Sequence, residues 1–468
     1  MPQQQGFGRI AEREQGLKRR LTSGQMSMIA IGGAIGTGLF LGSKFAIGFA
    51  GPSVILSYAI GGVITLLLMG CLAEMTVAHS TSGSFGAYAE HYIGPLAGFL
   101  VRYAYWSCVV LAVGTEVTAV AEYMKLWFPG VPGWQWVCLF SALLICVNAM
   151  SVKAFGTVEY WFSTVKVSAI VAFIILGAYV VWGEPQYGAA LYTSHGGFFP
   201  NGVWGMWIAV VISIFSYLSV EMIAVAAGEA EDPERAVKQA FRATIARLVV
   251  FYLLTLALIL AIVPWDEAGK GGSPFVKVMQ SLGIPGAADV INFIVLVAAL
   301  SAMNSQLYIT TRMMFSLSRA GHAPAALGRL SRSGTPLNAL LVSTSGIAIA
   351  AVLNVLYPET AFTLMMAISM FGALFTWMMI FVTHYFFRRR WAREGGAPLS
   401  FRMPGFPVLT LLGAAAMLAI LGTTYFTGVF KMTLVFGVPF LLILAGAYGL
   451  LLRKRAAPAA LPSRQPGA

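Results

Sequence analysis

Twelve apolar stretches, each long enough to cross a bilayer as a helix, take up most of this chain of 468 residues. They run at approximately 26–48, 53–78, 98–126, 134–151, 157–182, 203–226, 243–264, 287–312, 338–356, 362–387, 407–428 and 432–452, and are numbered segments 1 to 12 below. About twenty apolar residues rising 1.5 Å each cover the hydrocarbon core. Lipid offers no partner to backbone N–H and C=O groups, so spans of this length must be helices that satisfy themselves. Composition agrees. The chain is 58% hydrophobic and 10% charged, whereas a soluble domain carries about 25% charged residues. The reading is an all-α integral membrane protein with twelve transmembrane helices.

The net charge of +12 could suggest nucleic acid, but its distribution does not. With the N-terminus inside, 24 of the 30 Lys and Arg residues fall in inside loops. Five fall outside (Lys44, Lys125, Lys270, Lys277 and Lys431), and Lys166 lies within a span; 24 + 5 + 1 is the full 30. This bias places both termini in the cytoplasm, and with no cleavable signal sequence in view the expected home is the inner membrane. Residues 1–25 read as a cytoplasmic tail and 456–468 as a disordered one. The loop 227–242 reads as a short helix started by Asp232-Pro233. Cys71, Cys108, Cys138 and Cys146 lie within spans as small apolar filler, without metal-ligand spacing. No soluble-enzyme motif appears. Neither a cofactor, a metal, a nucleic acid nor an obligatory protein partner is called for.

Two segments are interrupted. Segment 1 contains Gly32-Gly33-Ala34-Ile35-Gly36-Thr37-Gly38, four glycines in seven residues, and each glycine costs about 1 kcal/mol of helix stability. Unwinding here would leave backbone N–H groups around Thr37 and Gly38 at a half-helix N-terminus, where an anion is favoured. Close packing of small residues is the alternative, since Gly32 and Gly36 also form GxxxG. Segment 6 contains Phe215-Ser216-Tyr217-Leu218-Ser219 before Glu221. Unwinding there would free carbonyls for an ammonium; serines bonding back to their own helix is the alternative. Five spans separate the two, an odd offset that suits inverted repeats, and matched interruptions point to a transporter's binding site. N–H groups for a carboxylate and C=O groups for an amine together suit a zwitterionic amino acid.

Three charges stand out at membrane depth. Lys166 in segment 5 costs several kcal/mol unless paired, hydrated or neutral; it either serves proton coupling or snorkels to the interface. Glu116 and Glu221 are expected to face the bundle interior as gating or pocket acids. Glu116 could select a cationic substrate or balance Lys166. Ser301, Asn304, Ser305, Thr310 and Thr311 in segment 8 could complete a sodium site or bond between helices.

These residues resemble the amino acid transporter branch of the amino acid–polyamine–organocation superfamily. The resemblance is carried by LKRRLTSGQMSMIAIGGAIGTGLF at 17–40, SGSFGAY at 82–88, the stretch 155–170 around Lys166, AAGEAEDP at 226–233, and AALSAMNSQLYITTRMMFSLSR at 298–319. It implies a LeuT-like core of ten helices at 26–390 in two inverted five-helix repeats, with helices 1 and 6 broken. Two peripheral helices would follow at 391–455. It implies a substrate site between segments 1 and 6, with segments 3, 8 and 10 shaping the side-chain pocket. Thr37 and Gly38 would hold the substrate carboxylate. The carbonyls of Ala34, Phe215 and Leu218 would take the amine, and Ile35, Ser216 and Ser219 belong to the same breaks. Lys166 matches the segment 5 lysine that stands at a sodium position in proton-coupled relatives, and Glu221 matches the segment 6 acid. One departure is that Leu218-Ser219 stands where relatives usually carry glycine. The expected function is proton-coupled symport of an amino acid, with amino acid exchange on the same fold as the alternative.

Overall fold

The computed structural model describes residues 35–81, 83–150, 152–226, 248–332, 334–396, 398–428 and 430–456, with shorter pieces at 7–8, 10, 12, 232, 234–235, 238–239 and 241–243. The regular structure among the described residues is helical, with no strand. Ten of these helices are long and apolar enough to cross a membrane, and Val249–Ile262 is a shorter apolar one. The first of the ten, Gly38–Ala78, holds two expected segments. It is divided at Gly51–Ser53 into α1 (Ser43–Ala50) and α2 (Val54–Ala78). Gly51 has φ 62°, a conformation that glycine adopts without the Cβ penalty. Pro52 then opens the next turn.

The longer helices that follow are α3 (Ser84–Tyr92), α4 (Pro95–Met124), α5 (Gly133–Met150), α6 (Val152–Gly183), α7 (Gly202–Tyr217), α8 (Met222–Ala226), α9 (Thr255–Ile262), α10 (Ala287–Arg319), α11 (Leu337–Ser343), α12 (Ser345–Leu356), α13 (Ala361–Arg393), α14 (Val408–Thr423) and α15 (Lys431–Ala456). At the centre, α4 packs along α10 and α13, and α7 packs against both α1 and α2. α7 is buried along nearly its whole length. The outer helices α6 and α15 instead expose large apolar side chains such as Ile175, Trp182, Leu442 and Ile443. Helices apolar all round are what a membrane requires, because their outer faces meet lipid. Lipid is as apolar as leucine, so the helices associate through close backbone approach. A Cβ on Gly372 of α13 would lie 2.1 Å from the Ala104 carbonyl of α4.

Loop chemistry matches its sequence signals where it is described. Asp232 Oδ1 accepts the Arg235 amide at 3.1 Å, and Lys238 pairs with Glu234 at 2.6 Å; residues 227–231, 233, 236–237 and 240 of the helix expected at 227–242 lie outside the described residues.

Near the N-terminus, Phe7 is buried with its ring stacked on His79 at 4.1 Å and set edge-on to His91 at 5.5 Å. Tyr92 Oη lies 2.5 Å from His79 Nε2. Burial, with His91 adding repulsion, pushes the His79 pKa down to about 4. Around this pair, burial and Arg390 lower His91 while Glu394 and Glu90 act the other way. A histidine whose folded pKa is depressed contributes its full stability above its ordinary value of 6.5. That stability is lost as pH falls toward the folded value. Acidification from pH 7 to about 4.5 is therefore expected to undock Phe7. Limited proteolysis of the N-terminal segment should accelerate over that range, and His79→Gln should flatten the dependence.

Candidate functional site

Segment 1 is not helical at Ile35 and Gly36; helix begins at Thr37 and continues as a π-turn, Gly38–Gly42. Ala34, Gly32 and Gly33 lie outside the described residues. Glycine is required here for a second reason as well. A Cβ on Gly36 would fall 2.8 Å from Ala302 Cβ and 3.0 Å from Glu116 Oε1, and one on Gly38 would fall 2.7 Å from Ser216 Cα. Close packing, one of the two alternatives in the sequence reading, is therefore present at Gly36 and Gly38; the part of segment 1 before Ile35, on which the other alternative turns, lies outside the described residues.

Segment 6 is interrupted within the described residues. α7 ends at Tyr217, Leu218 turns away with ψ 155°, and helix resumes as α8 at Met222. The serine alternative is also present, since Ser216 Oγ donates to the carbonyl of Ile212 at 3.1 Å. It also donates to the Gly38 carbonyl at 2.8 Å, so the two breaks touch. Tyr252 donates to the Ser216 carbonyl at 2.9 Å. The Phe215 carbonyl, expected to be free, accepts the Leu218 amide at 3.2 Å.

Ser219 has φ 79°. That is the left-handed region, and it explains why glycine suits this position. Holding a side chain there costs about 1–2 kcal/mol, and a glycine loses a comparable amount through its freer unfolded chain. Ser219→Gly is therefore expected to keep uptake and change thermal stability little. Ser219→Val, β-branched at positive φ, should lose most uptake. Thermal unfolding and substrate uptake measured on both variants check this.

The acid that follows holds the break in shape. Glu221 is buried and accepts Tyr105 Oη at 2.7 Å, Trp377 Nε1 at 3.2 Å and the Ser219 amide at 3.2 Å. It thereby ties segment 6 to α4 and α13.

Glu116 departs from one expectation. Its Oε2 accepts the Thr37 amide at 3.3 Å, and its Oε1 accepts Gln306 Nε2 at 3.4 Å. The Thr37 N–H, expected to be free, is engaged by this acid because Gly36 lets the carboxylate approach. Glu116, Gln306, Gly36, Gly38, Leu218 and Ser219 are among the residues lining a cavity of about 20 Å³. Such a volume holds about one water, so admitting an amino acid requires the surrounding helices to part. A larger cavity of about 620 Å³ lies toward Lys44, Glu122, Lys125 and Lys277.

Lys166 is fully buried, which rules out snorkelling in this structure. Its Nζ donates to the Ile35 carbonyl at 3.1 Å and to Ser301 Oγ at 2.6 Å. The nearest carboxylate is Glu159 Oε1 at 3.9 Å, also fully buried. Glu159 thus supplies a close counter-charge beside the field of Glu116. The sequence reading missed Glu159. The available signal was its spacing: seven residues, about two turns, put Glu159 and Lys166 on one helix face. Long helical side chains lean toward the N-terminus, which folds the lysine back onto the acid.

The polar residues of α10 divide. Ser301 and Asn304 reach α6, with Ser301 Oγ donating to Glu159 Oε1 at 2.6 Å and Asn304 Nδ2 to Oε2 at 3.2 Å. Thr310 and Thr311 bond back to their own helix. Glu74 is a second buried acid the sequence reading passed over; it pairs with Arg388 at 2.7 Å and His384 at 3.0 Å. Among the described residues no His, Cys, Asp or Glu cluster could hold a metal ion.

Comparison with known proteins places this arrangement. The amino acid permease family profile matches residues 25–456. The chain is 38% identical over 449 residues to the amino-acid permease RocC of Bacillus subtilis (strain 168), covering 94% of this chain and 96% of that protein. It is 39% identical over 413 residues to the gamma-aminobutyric acid permease of the same organism, covering 87% and 88%. It is 39% identical over 411 residues to the aromatic amino acid transport protein AroP of Escherichia coli O6:H1, covering 86% and 90%. These relatives are transporters and not enzymes. With its ten membrane-length helices, the chain is a multi-pass membrane protein of amino acid transport, and it belongs to the amino acid permease family.

Proposed function

We propose that this protein is a proton-coupled symporter that imports an amino acid across the inner membrane, with both termini in the cytoplasm. The core is the ten helices of 26–390 in two inverted five-helix repeats, and 391–455 supply two peripheral helices of the twelve. The substrate binds by its α-groups at the two breaks: Thr37 and Gly38 offer N–H groups to the carboxylate. The carbonyls of Phe215, Leu218 and Ala34, the last outside the described residues, would take the ammonium. Ile35, Ser216 and Ser219 shape the same breaks. A carboxylate that takes the Thr37 amide has to displace Glu116, so Glu116 is the pocket acid that answers to substrate. Glu221 serves as the gating acid, since its bonds from Tyr105 and Trp377 join the segment 6 break to the scaffold.

The observation that carries this reading is the position of Lys166. A buried ammonium bridges the Ile35 carbonyl of the segment 1 break and Ser301 of α10. Gain or loss of its proton therefore alters the attachment of the moving break to a fixed helix. The relatives' names span gamma-aminobutyric and aromatic substrates, which share a carboxylate and an ammonium at different spacings.

Purified protein in vesicles with an imposed inward proton gradient tests it, with a panel of unlabelled amino acids as competitors. Gradient-driven accumulation in vesicles without internal substrate, inhibited by one class of side chain, is expected. Uptake that ignores the gradient and requires internal amino acid would replace symport with exchange.

A further inference from the structure

Lys166 sits at one end of a chain of hydrogen bonds that leads away from the substrate breaks. Its Nζ donates to Ser301 Oγ at 2.6 Å, and Ser301 Oγ donates in turn to Glu159 Oε1 at 2.6 Å. Nζ and Oε1 themselves are 3.9 Å apart, too far for a direct hydrogen bond. The Ser301 hydroxyl spans the gap with good geometry at both ends. The acid is held from its other sides as well. Ser163 Oγ donates to Oε1 at 3.1 Å and Asn304 Nδ2 to Oε2 at 3.2 Å. Asn148 Nδ2 of α5 holds Asn304 Oδ1 at 2.9 Å. Glu159 is thus fixed to α5, α6 and α10, whereas the Ile35 carbonyl belongs to the interrupted segment.

We propose that Ser301 relays the coupling proton between Lys166 and Glu159, and that Glu159 is its acceptor. This rests on the proton-coupled reading above. In the step, one Nζ–H bond of Lys166 breaks as a proton passes to Ser301 Oγ. The original Ser301 O–H bond breaks as its proton passes to Glu159 Oε1. One N–H and one O–H bond are lost and two O–H bonds form. Ammonium and carboxylate become amine and carboxylic acid, and the net charge of the site is unchanged. Both partners are fully buried, so the exchange trades a desolvated ion pair for a neutral pair and creates no isolated buried charge. When the segment 1 break moves, Lys166 loses the Ile35 carbonyl, one of the acceptors that favour its ammonium form, while the Ser301–Glu159 arm stays in place. Glu159 lies two helical turns, about 10 Å, along α6 from Lys166. Glu116 is the other acid whose field reaches Lys166, and it lies on the substrate side, so the relay directs the proton away from the substrate.

Ser301→Ala removes the bridge and leaves both titrating groups; Ser301→Thr keeps a hydroxyl. In vesicles, Ser301→Ala is expected to lower gradient-driven accumulation by roughly tenfold or more, the scale of a coupling between two ligands, and to flatten its pH profile. Substrate exchange between loaded vesicles should persist, and Ser301→Thr should restore both readouts. Glu159→Gln should match Ser301→Ala, and the double variant should be no worse than either single one. Accumulation and pH profile in Ser301→Ala equal to those of the unsubstituted protein would overturn the relay. So would failure of Ser301→Thr to restore them in protein that elutes as a single folded species. Absence of gradient-driven accumulation in the unsubstituted protein would instead overturn the symport reading itself.

Discussion

Gly38→Ala is expected to abolish amino acid uptake while the helical bundle still assembles. The added Cβ would lie 2.7 Å from Ser216 Cα and 3.3 Å from the Phe215 carbonyl oxygen. Both neighbours are backbone, so neither can rotate away as a flexible side chain would. The two breaks must separate, and the Ser216 hydroxyl then loses the Gly38 carbonyl it holds at 2.8 Å. Overpacking of this kind costs about 1–3 kcal/mol, which a bundle of this size tolerates. The same displacement moves the two half-helices out of register. A misplacement of about 1 Å at a working site costs on the order of a hundredfold. Uptake in vesicles, compared with size-exclusion behaviour and helicity of the same preparation, checks it. Normal uptake by Gly38→Ala would show that the two breaks do not form the substrate site together.

Lys166→Met is expected to lower stability by about 3–5 kcal/mol, the cost of stranding one member of a buried ion pair, and to remove dependence on the proton gradient. Glu159 would keep the bonds from Ser301, Ser163 and Asn304 but lose the positive charge 3.9 Å away. The double variant Lys166→Met with Glu159→Gln replaces charged by neutral groups of similar shape, and most of the stability should return. Uptake driven by the gradient should not return, because no group remains to take up the proton at this point. Thermal unfolding of the two variants separates the effects. Equal stability of the single and double variants would mean that Glu159 is not the counter-charge.

The positions of the membrane helices were readable because lipid imposes a simple rule on sequence: about twenty apolar residues per crossing, with backbone bonds made inside each helix. The segment 6 break, and the expectation of one in segment 1, were readable for a related reason. Four glycines in seven residues of segment 1 and a run of hydroxyls before Glu221 in segment 6 depart from that rule. Ser219 shows how far such reading extends. The family resemblance implies a glycine in relatives around Leu218-Ser219, and the backbone at Ser219 has a φ of 79°, which glycine suits.

Partnerships between charges were not readable in the same way. For Glu116 the sequence left open whether it selects a cationic substrate or balances Lys166, because each is an isolated charge within a span. In the fold Glu116 turns to the Thr37 amide and Gln306, and Lys166 turns to Glu159 through Ser301. Which acid meets which base depends on helix rotation and on how closely α4, α6 and α10 approach the segment 1 break. Those distances are set by small residues such as Gly36 and Ala302, whose effect appears only when three helices are packed together. Glu74 makes the same point, since its partners Arg388 and His384 lie more than three hundred residues away in sequence. By itself the sequence determined a helical membrane protein with an interruption in segment 6 and a lysine within a span, because hydrophobicity and backbone propensity act locally along the chain. Only the tertiary structure decided the hydrogen-bond partners of each buried charge, because in a low-dielectric interior those partners come from whichever helices pack around it.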